Sequence, residues 1–329
     1  MSEVQKINTV QAINQALDEA MGLDSSVFVM GEDVADAQGG GVLKCTKGLS
    51  TKYGVQRVRS TPIAEQAIVG AAVGAAIAGM RPVAEIMLMN FITVAMDQVT
   101  NHAAKLRFMS GGQTHVPLTL RMMSGAGFGT GGQHADMLEA WFAHTPGLKV
   151  VAPSNPADAK GLLLSCIFDD DPCIFLESLP LYWATGEVPG PGHRVPLGKA
   201  AISRAGSDLT IVSYSRAVTD CLVVAEKLAA DGISAEVIDL RTVAPIDFET
   251  VLASVARTRR LLVVHEATTF CGVGAEIAAR VNEELFGQLL RPVQRLGGYH
   301  SAVPFSKPLE TEFIPNQSRI ERAVRKLID

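Results

Sequence analysis

The sequence predicts an α/β protein with two domains, each built on a mostly parallel β-sheet that helices cover. A chain of 329 residues is longer than one ordinary small domain and suits two. Strand and helix patterns alternate in both halves of the chain, which is typical of sheets made from βαβ units. The segment Pro180–Pro196 between the halves is rich in proline and glycine and has little periodicity. We therefore expect a first domain at residues 1–185, a linker at 186–205 and a second domain at 206–329.

The first half alternates helical periodicity with short apolar runs that glycine or proline ends. The predicted elements are a helix about Val10–Met21, a strand at Val27–Met30, a helix beginning at Glu65, a strand at Val83–Ile86, a helix from about Ile92 to Met109, a strand at Pro117–Met122, a short helix, a strand at Val150–Val151, a helix at Pro156–Phe168 and a strand at Cys173–Leu176. This order favours a parallel sheet with helices on its faces.

The second half repeats the alternation from Asp208 onward. The predicted elements are a strand at Leu209–Ser213, a helix about 217–230, a strand at Ala235–Leu240, a helix at 247–256, a strand at Leu261–Val264, a helix at 273–286, a strand at Val293–Leu296 and a final helix at 317–328. These elements predict a second, smaller α/β domain.

Composition argues against several classes of function. The net charge of −5 and the isoelectric point near 5.8, without a clustered basic patch, argue against binding to nucleic acid or a membrane surface. The most apolar run, Ile68–Met80, is shorter than the roughly twenty residues that span a bilayer, so we expect a buried helix. No targeting segment is recognised. Five scattered cysteines without metal-site spacing indicate reduced thiols, so we expect a cytoplasmic protein.

The segment Thr61-Pro62-Ile63-Ala64-Glu65 places a single carboxylate at the start of an otherwise uncharged helix. One interpretation is an ordinary glutamate that the helix dipole favours, with Thr61 as the cap. The other interpretation is a functional acid. Gly70, Gly74 and Ala78 recur at four-residue spacing, which lets a second helix approach closely. A carboxylate beside such an apolar contact needs a partner or has a raised pKa, as acid–base chemistry requires.

The glycine-rich loop (Ser124–Ala135) follows a predicted strand and carries His134. Gly127, Gly129 and Gly132 fit the spacing of a dinucleotide-binding turn. However, the loop lies in mid-domain, and no acidic residue after a second strand completes that motif. A flexible loop that delivers His134 to a site explains the glycines equally well, and a purely structural histidine is the alternative.

Short segments along essentially the whole chain match those of one family. They are Gly31-Glu32-Asp33-Val34, Thr46-Lys47-Gly48-Leu49, Thr61-Pro62-Ile63-Ala64-Glu65, Val73-Gly74-Ala75-Ala76, Gly79-Met80-Arg81-Pro82, Asp97-Gln98, Ala104-Lys105, Gln133-His134, Pro146-Gly147-Leu148-Lys149-Val150-Val151, Asp158-Ala159-Lys160-Gly161-Leu162, Asp239-Leu240-Arg241-Thr242 and Pro245. Together they resemble the β subunit of the thiamine-diphosphate-dependent decarboxylase component of 2-oxo acid dehydrogenase complexes. That family includes the pyruvate, branched-chain 2-oxo acid and acetoin enzymes.

The resemblance implies a pyrimidine-binding domain followed by a transketolase-type carboxyl-terminal domain, and it assigns site residues by position. Glu65 would bond to a ring nitrogen of the cofactor's aminopyrimidine and favour the tautomer that activates the thiazolium carbon. Glu32 would lie beside that ring, and Ile63 would line the pocket. Phe91, which the residue pattern alone places in the core, would stack on the ring. His134 would act on the covalent intermediate and help to pass the acyl group to a lipoyl arm.

The resemblance also implies two metal ions. Thiamine diphosphate needs magnesium held by a Gly-Asp-Gly segment, which this chain lacks, so the ion should be held mainly by an α subunit. Several relatives bind potassium, and the corresponding ligands here would be the carbonyls of Leu118, Cys166 and Ile167 with the side chains of Asp169 and Asp171.

The implied enzyme is active only with an α subunit. We expect a heterotetramer of two α and two β chains, with the cofactor between chains and the helix of Gly70, Gly74 and Ala78 at a close helix crossing. A hydrophobic content of 47% fits such subunit contacts. The assembled oxidoreductase would decarboxylate a 2-oxo acid or cleave acetoin, and would transfer the acyl group to lipoamide on an acyltransferase core.

Two alternatives remain open at this point. One is a two-chain carboligase of transketolase or synthase type, which would pass a two-carbon unit to an aldehyde. The other is a non-catalytic binding or scaffold chain that uses its glycine-rich loop for a dinucleotide. The substrate is also open, because Ser60 stands where the family often has aspartate and Ala135-Asp136 where many relatives have Ser-Gln. The segment Gly40–Leu43 favours the acetoin type.

Overall fold

The computed structural model describes residues 4–329, which form two compact units. The first unit comprises the chain up to Ser124 together with Trp141–Leu197, and the second comprises Gly125–Ala140 and Gly198–Asp329. The glycine-rich loop from Gly125 onward therefore belongs to the second unit, although the first unit supplies the chain on either side. Both units have parallel-rich sheets and helices, which confirms the predicted fold class. The domain limits at residues 1–185 and 206–329 stay a prediction.

The first unit contains a parallel sheet that helices cover. Its elements between residues 4 and 197 are β1 (Gln5–Asn8), α1 (Thr9–Leu23), β2 (Val27–Glu32), α2 (Leu49–Tyr53), β3 (Val58–Thr61), α3 (Glu65–Ile77), β4 (Arg81–Leu88), α4 (Leu106–Met109), β5 (Thr119–Ser124), α5 (Glu139–Ala143), β6 (Lys149–Val151), α6 (Pro156–Ile167), β7 (Cys173–Ser178) and β8 (Thr185–Val188). Neighbouring strands run parallel in the order β6–β7–β5–β4–β2–β3.

The central strands β2 and β7 of this sheet are buried on both faces, which explains their mostly apolar sequences. Every residue of β2 and of β7 is buried. On one face, Ile13 and Leu17 of α1 and Leu163 of α6 pack in a core cluster with Phe175 of β7. The apolar runs that predicted these strands are therefore the centre of the unit.

The segment predicted as a linker is structured at both ends. Strand β8 lies within it and pairs antiparallel with β1, with Gln5 opposite Val188 and Asn8 opposite Thr185. The first unit extends through it to Leu197, and Ala201–Arg204 forms a strand of the second unit. The pair β1–β8 is short and mostly polar, so it gives no alternating apolar pattern that sequence could reveal.

The prediction of one long helix from Ile92 to Met109 is wrong. The chain there forms a 3-10 helix at Met89–Ala95, a π-helix at Gln98–Ala103 and then α4. Two threonine hydroxyls donate to backbone carbonyls in this region, Thr93 to Asn90 at 2.9 Å and Thr100 to Met96 at 2.8 Å. Such hydroxyl bonds compete with regular helix hydrogen bonds, so the helical pattern is retained but the helix is broken.

The second unit contains a smaller sheet. Its elements from residue 198 onward are β9 (Ala201–Arg204), β10 (Leu209–Ser213), α7 (Arg216–Ala229), β11 (Ala235–Asp239), β12 (Thr242–Ala244), α8 (Phe248–Thr258), β13 (Leu261–Thr268), α9 (Val273–Leu285), β14 (Gln294–Gly298), α10 (Lys307–Phe313) and α11 (Gln317–Ile328). The strand order is β14–β13–β10–β11–β9, and β9 is antiparallel to its neighbour.

The predicted elements of the second half are present, and three short ones were missed. Sequence analysis did not predict β9, β12 or α10, each of which has seven residues or fewer. The core of this unit packs Ile211 of β10 and Leu262 of β13 against Val218 of α7 and Ile320 of α11. Within residues 4–329, no helix is both long and apolar enough to cross a membrane. All five cysteines are free thiols, as expected.

Candidate functional site

The candidate site lies at the carboxyl edge of three adjacent parallel strands of the first unit. Glu32 is the last residue of β2 and pairs in register with Thr61, the last residue of β3. The chain then enters α3, whose first residue is Glu65. On the other side of β2, strand β4 ends at Leu88 and Phe91 follows in the next helical turn. Because these strands are parallel, the residues after their ends meet at one edge, where ligands of open α/β sheets bind.

Glu65 is the first residue of α3, and Thr61 does not cap this helix. The N-cap of the helix is Ala64, and no side chain caps it, so the interpretation of Thr61 as the cap is wrong. The Thr61 hydroxyl is buried and, among residues 4–329, has no hydrogen-bond partner. The first-turn position of Glu65 places its carboxylate where the helix dipole favours negative charge, and its side chain is half-buried. The edge thus presents one carboxylate to the groove beside α3.

Glu32 is a second carboxyl group at this edge and is 8% exposed. Burial raises the pKa of Glu32 above its ordinary value, and the nearby negative charges of Glu65, Asp33 and Glu85 raise this pKa further. A raised pKa favours the neutral form, which can donate a hydrogen bond as well as accept one. Glu32 and Glu65 are therefore a pair of carboxyl groups in different surroundings, one buried and one at the mouth of a groove.

The helix α3, expected to be buried, is buried on one face in this single chain. Ile68, Val69, Ala72, Val73 and Ala76 are buried, whereas the opposite face of small residues is exposed in this single chain. An open groove beside that face has a mostly uncharged lining of Ala64, Glu65, Gln66, Ala67, Gly70, Ala71, Val94 and Gln98.

Apolar side chains next to this groove are unusually exposed. Ile63 is 82% exposed, and Val94 is 60% exposed. Large apolar side chains clustered on one surface are typical of a surface that another molecule or chain covers. Their exposure fits the expected subunit contact of this helix.

A buried ion cluster lies in the same sheet, and sequence analysis missed it. Arg121 of β5 is 2% exposed and donates to both oxygens of Glu177 at 2.7 and 2.9 Å. It also donates to Glu85 of β4 at 2.7 Å, and Tyr182 donates its hydroxyl hydrogen to Glu177. Glu85, Arg121 and Glu177 each stand among mostly apolar neighbours within a strand, and that pattern could have revealed the cluster.

The glycine-rich loop belongs to the second unit and is held there by carboxylates. Glu310 of α10 accepts the backbone N–H of Gly127 at 2.6 Å and that of Gly129 at 3.1 and 3.2 Å. Glu266 of β13 accepts the N–H of Ala126 at 2.5 Å. The amide groups that a dinucleotide phosphate would need are therefore already bound to negative charges. This arrangement disfavours the dinucleotide interpretation of the loop.

His134 lies in this loop and is half-buried. Its backbone N–H donates to the carbonyl of Gly131 at 3.1 Å, which forms a turn just before it. The structure brings Glu32, Glu65 and the Phe91 segment to one edge of the first unit. It places His134 in the second unit.

The residues expected to bind potassium already have partners within the chain. The Lys149 ammonium lies 2.6 Å from Asp169 and 3.3 Å from Asp171. The carbonyls of Leu118, Cys166 and Ile167 accept hydrogen bonds from Cys173 N, Asp169 N and an Arg81 guanidinium nitrogen at 2.8, 3.2 and 3.3 Å. Across residues 4–329, no group of three or more His, Cys, Asp or Glu side chains could hold a metal ion. The potassium site stays a prediction.

Two family models match the chain. The transketolase pyrimidine-binding domain matches residues 5–183, and the transketolase C-terminal domain matches residues 198–320. Among curated proteins, the β subunit of acetoin:2,6-dichlorophenolindophenol oxidoreductase from Cupriavidus necator is 46% identical over 98% of this chain and 97% of its own. The mitochondrial pyruvate dehydrogenase E1 component subunit β from Caenorhabditis elegans is 46% identical over 97% of this chain and 91% of its own.

Solved structures share the fold. A split-gene transketolase, described as an inactive β4 tetramer, superposes with a TM-score of 0.81 at 22% identity and covers 98% of both chains. A transketolase from Leishmania mexicana superposes with a TM-score of 0.72 at 16% identity over 100% of this chain and 46% of its own. At these identities the likeness supports the fold alone.

Proposed function

The chain belongs to the family of β subunits of thiamine-diphosphate-dependent 2-oxo acid and acetoin dehydrogenases, and we propose that it supplies the acid–base groups of the assembled site. The observation that carries this proposal is the pair of carboxyl groups, Glu32 and Glu65, at one edge of the parallel sheet. A half-buried carboxylate beside a buried carboxyl of raised pKa is an arrangement suited to holding and moving a proton.

The residues at this edge fit the aminopyrimidine ring of the cofactor. That ring offers nitrogen donors and acceptors, for which Glu65 provides a carboxylate and Glu32 a carboxyl that burial keeps toward its neutral form. Ile63 and Phe91 provide apolar and aromatic surface beside them. These four residues would hold the ring of thiamine diphosphate, which supplies, when bound, a carbon nucleophile toward carbonyl substrates. Glu65 would keep a proton at the ring nitrogen, and Glu32 would limit the charge beside it.

We assign the acyl-transfer step to His134. An imidazole can donate and accept a proton near neutral pH, as reductive acylation of a lipoyl disulfide requires, because one sulfur takes the acyl group while the S–S bond breaks and the other sulfur leaves as a thiol that needs a proton. The loop that carries His134 is anchored to the second unit by backbone hydrogen bonds to Glu266 and Glu310, so the histidine has a defined position. The proposed partner in this step is an acyltransferase core, whose lipoyl group would receive the acyl group.

A β subunit implies an α subunit, and we propose a heterotetramer of two α and two β chains. The chain has no Gly-Asp-Gly segment, so the α subunit would hold most of the magnesium coordination. The exposed small-residue face of α3, with Gly70 and Gly74, would form the close helix crossing. A potassium ion would need to compete with Lys149 at Asp169 and Asp171. The free cysteines fit the reducing conditions of the cytoplasm.

The substrate would be acetoin or a 2-oxo acid such as pyruvate. The acetoin and pyruvate relatives are equally similar at 46% identity, so identity does not choose between them. A panel of acetoin, pyruvate and branched 2-oxo acids, tested on the complex of this chain with its α subunit, decides the question. Reduction of a dye by one of them identifies the substrate.

The test of the mechanism is Glu65→Gln in the assembled complex. The amide keeps the size of the side chain but cannot exchange a proton, so we expect a loss of about 10²-fold or more in dye reduction. Exchange of the thiazolium C2 proton of bound cofactor, followed by NMR, should slow in parallel. Glu187→Gln, at an exposed position of β8, is the matched control. Full turnover by the Glu65 variant would refute the assigned role.

A further inference from the structure

A buried glutamate, Glu310, anchors the glycine-rich loop. Glu310 is 2% exposed although it is a glutamate on a short helix close to the surface. Buried carboxylates are rare unless they are paired with opposite charge or hydrogen-bonded. The partners that the structure shows for its carboxylate are the backbone N–H groups of Gly127 and Gly129, at 2.6 to 3.2 Å. Helix α10 therefore places the carboxylate of Glu310 against the backbone of the loop.

The loop geometry is adapted to this contact. Gly127 and Gly129 have φ of +122° and +67°, where side chains other than glycine are strained. With these conformations the N–H groups of both glycines reach the same carboxylate, so Glu310 accepts from both residues. Hydrogen bonds to a charged acceptor are stronger than those between neutral groups.

The loop is fixed to the same segment at both of its ends. Ala126 and Ala135 are buried in one cluster with Val303, Phe313 and Ile314. Glu266 adds a bond to Ala126 N, and the Arg216 guanidinium donates to Ala126 O at 3.1 Å. Ala135 directly follows His134, so the position of His134 depends on how this cluster and Glu310 hold the loop.

We propose that Glu310 is a positioning residue, which fixes the backbone of Gly127 and Gly129 and thereby sets the place of His134 for acyl transfer. This inference rests on the proposed function, because it assigns Glu310 a role through His134. The hydrogen-bond partners that residues 4–329 show for the carboxylate belong to the loop, so its removal should affect the step that needs His134 and spare the step that needs Glu65.

Hydrogen exchange tests the contact without any activity. In Glu310→Ala, the peptide that contains Gly127 and Gly129 should exchange its amide hydrogens at least about tenfold faster, because two N–H groups lose their acceptor. Glu312→Ala is the matched control, since Glu312 is an exposed glutamate on the same helix. Equal protection in both variants would overturn the proposal.

Kinetics of the complex with the α subunit test the role. Glu310→Ala should lower acylation of a lipoyl domain by about 10²-fold, the usual scale for a displaced catalytic group. Dye reduction and cofactor binding should stay within about twofold of the wild-type values. Glu310→Gln keeps an acceptor oxygen and should recover part of the acylation rate. The double variant Glu310→Ala with His134→Ala should acylate the lipoyl domain no more slowly than His134→Ala alone, because both changes remove the same function.

Failure of this inference and failure of the proposed function would give different results. If Glu310→Ala and Glu310→Gln lower dye reduction, acylation and cofactor binding by the same factor, Glu310 is only structural and the inference is wrong. If the wild-type complex reduces no dye with any substrate of the panel, the proposed function fails, and hydrogen exchange still decides whether Glu310 holds the loop.

Discussion

Removal of the Arg121 charge should strongly destabilise the first unit. Arg121 is 2% exposed and Glu177 is 4% exposed, and three hydrogen bonds of 2.7 to 2.9 Å join Arg121 to Glu177 and Glu85. In Arg121→Met, two carboxylates remain in the interior without a positive partner. Breaking a buried ion pair from one side typically costs about 3–5 kcal/mol. That loss is a large part of the roughly 5–15 kcal/mol by which a domain is stable.

Urea unfolding at fixed protein concentration measures this cost. We expect a lower transition midpoint at an unchanged slope. Burial raises the pKa of Glu85 in the folded state above its ordinary value, and loss of the arginine charge should raise this pKa further. The destabilisation by Arg121→Met should therefore be larger at pH 8 than at pH 5, because protons can neutralise the carboxylates at the lower pH.

Two further variants separate charge from packing in this cluster. Adding Glu85→Gln and Glu177→Gln to Arg121→Met removes the unpaired charges and should restore at least half of the lost stability. Arg107→Met breaks an exposed pair with Asp171 and should change little. A loss below about 1 kcal/mol for Arg121→Met at pH 8 would refute the reasoning, since it would fall in the range of surface pairs.

Two other changes have outcomes that the structure specifies. Gly147→Ala should destabilise the protein by more than the roughly 1–2 kcal/mol of its left-handed φ of +99°, because the added Cβ would lie 2.0 Å from Ala104 O. Gly48→Ala, at φ +85° with no atom within 4 Å of the added Cβ, is the control and should cost only the strain. Burial raises the pKa of Glu266 to about 7 from 4.5, so the stability that its proton provides is lost as pH rises through about 7. The unfolding free energy of the wild type minus that of Glu266→Gln should therefore fall by a few kcal/mol between about pH 4.5 and 7 and stay level above, as urea titrations at several pH values can check.

Sequence predicted the layers of the fold because burial leaves a periodic pattern. The strand at Leu209–Ser213 and the final helix at about 317–328 agree with the structure within a residue because their apolar residues face the core. The single helix predicted from Ile92 to Met109 failed because threonine hydroxyls compete with its backbone bonds. Strand β1 could not be predicted, since its partner β8 lies far along the chain and both are polar.

Only part of the candidate site could be predicted, because only some of its residues leave a local pattern in the sequence. Glu65 was visible as a lone acid before small residues, whereas Glu32 and Phe91 were assigned only through the family resemblance, since the residue pattern alone placed Phe91 in the core. Glu310 was not visible, because its role depends on a loop 181 residues away in sequence. No local pattern distinguishes it from a surface glutamate of a short helix.

The loop's dependence on Glu310 has a consequence for synthesis of the chain. The residues of the glycine-rich loop leave the ribosome long before Glu310, which lies 181 positions after Gly129. At about 5–20 residues per second, some 10–35 seconds pass before the carboxylate that holds the loop exists. During that interval β5 and β6, the strands before and after the loop, can each pair with β7 while the loop itself lacks its anchor. On a ribosome that stalls before residue 310, His134 would therefore lie on a loop that Glu310 does not yet hold. Proteases could reach that loop until synthesis resumes and the last helices form.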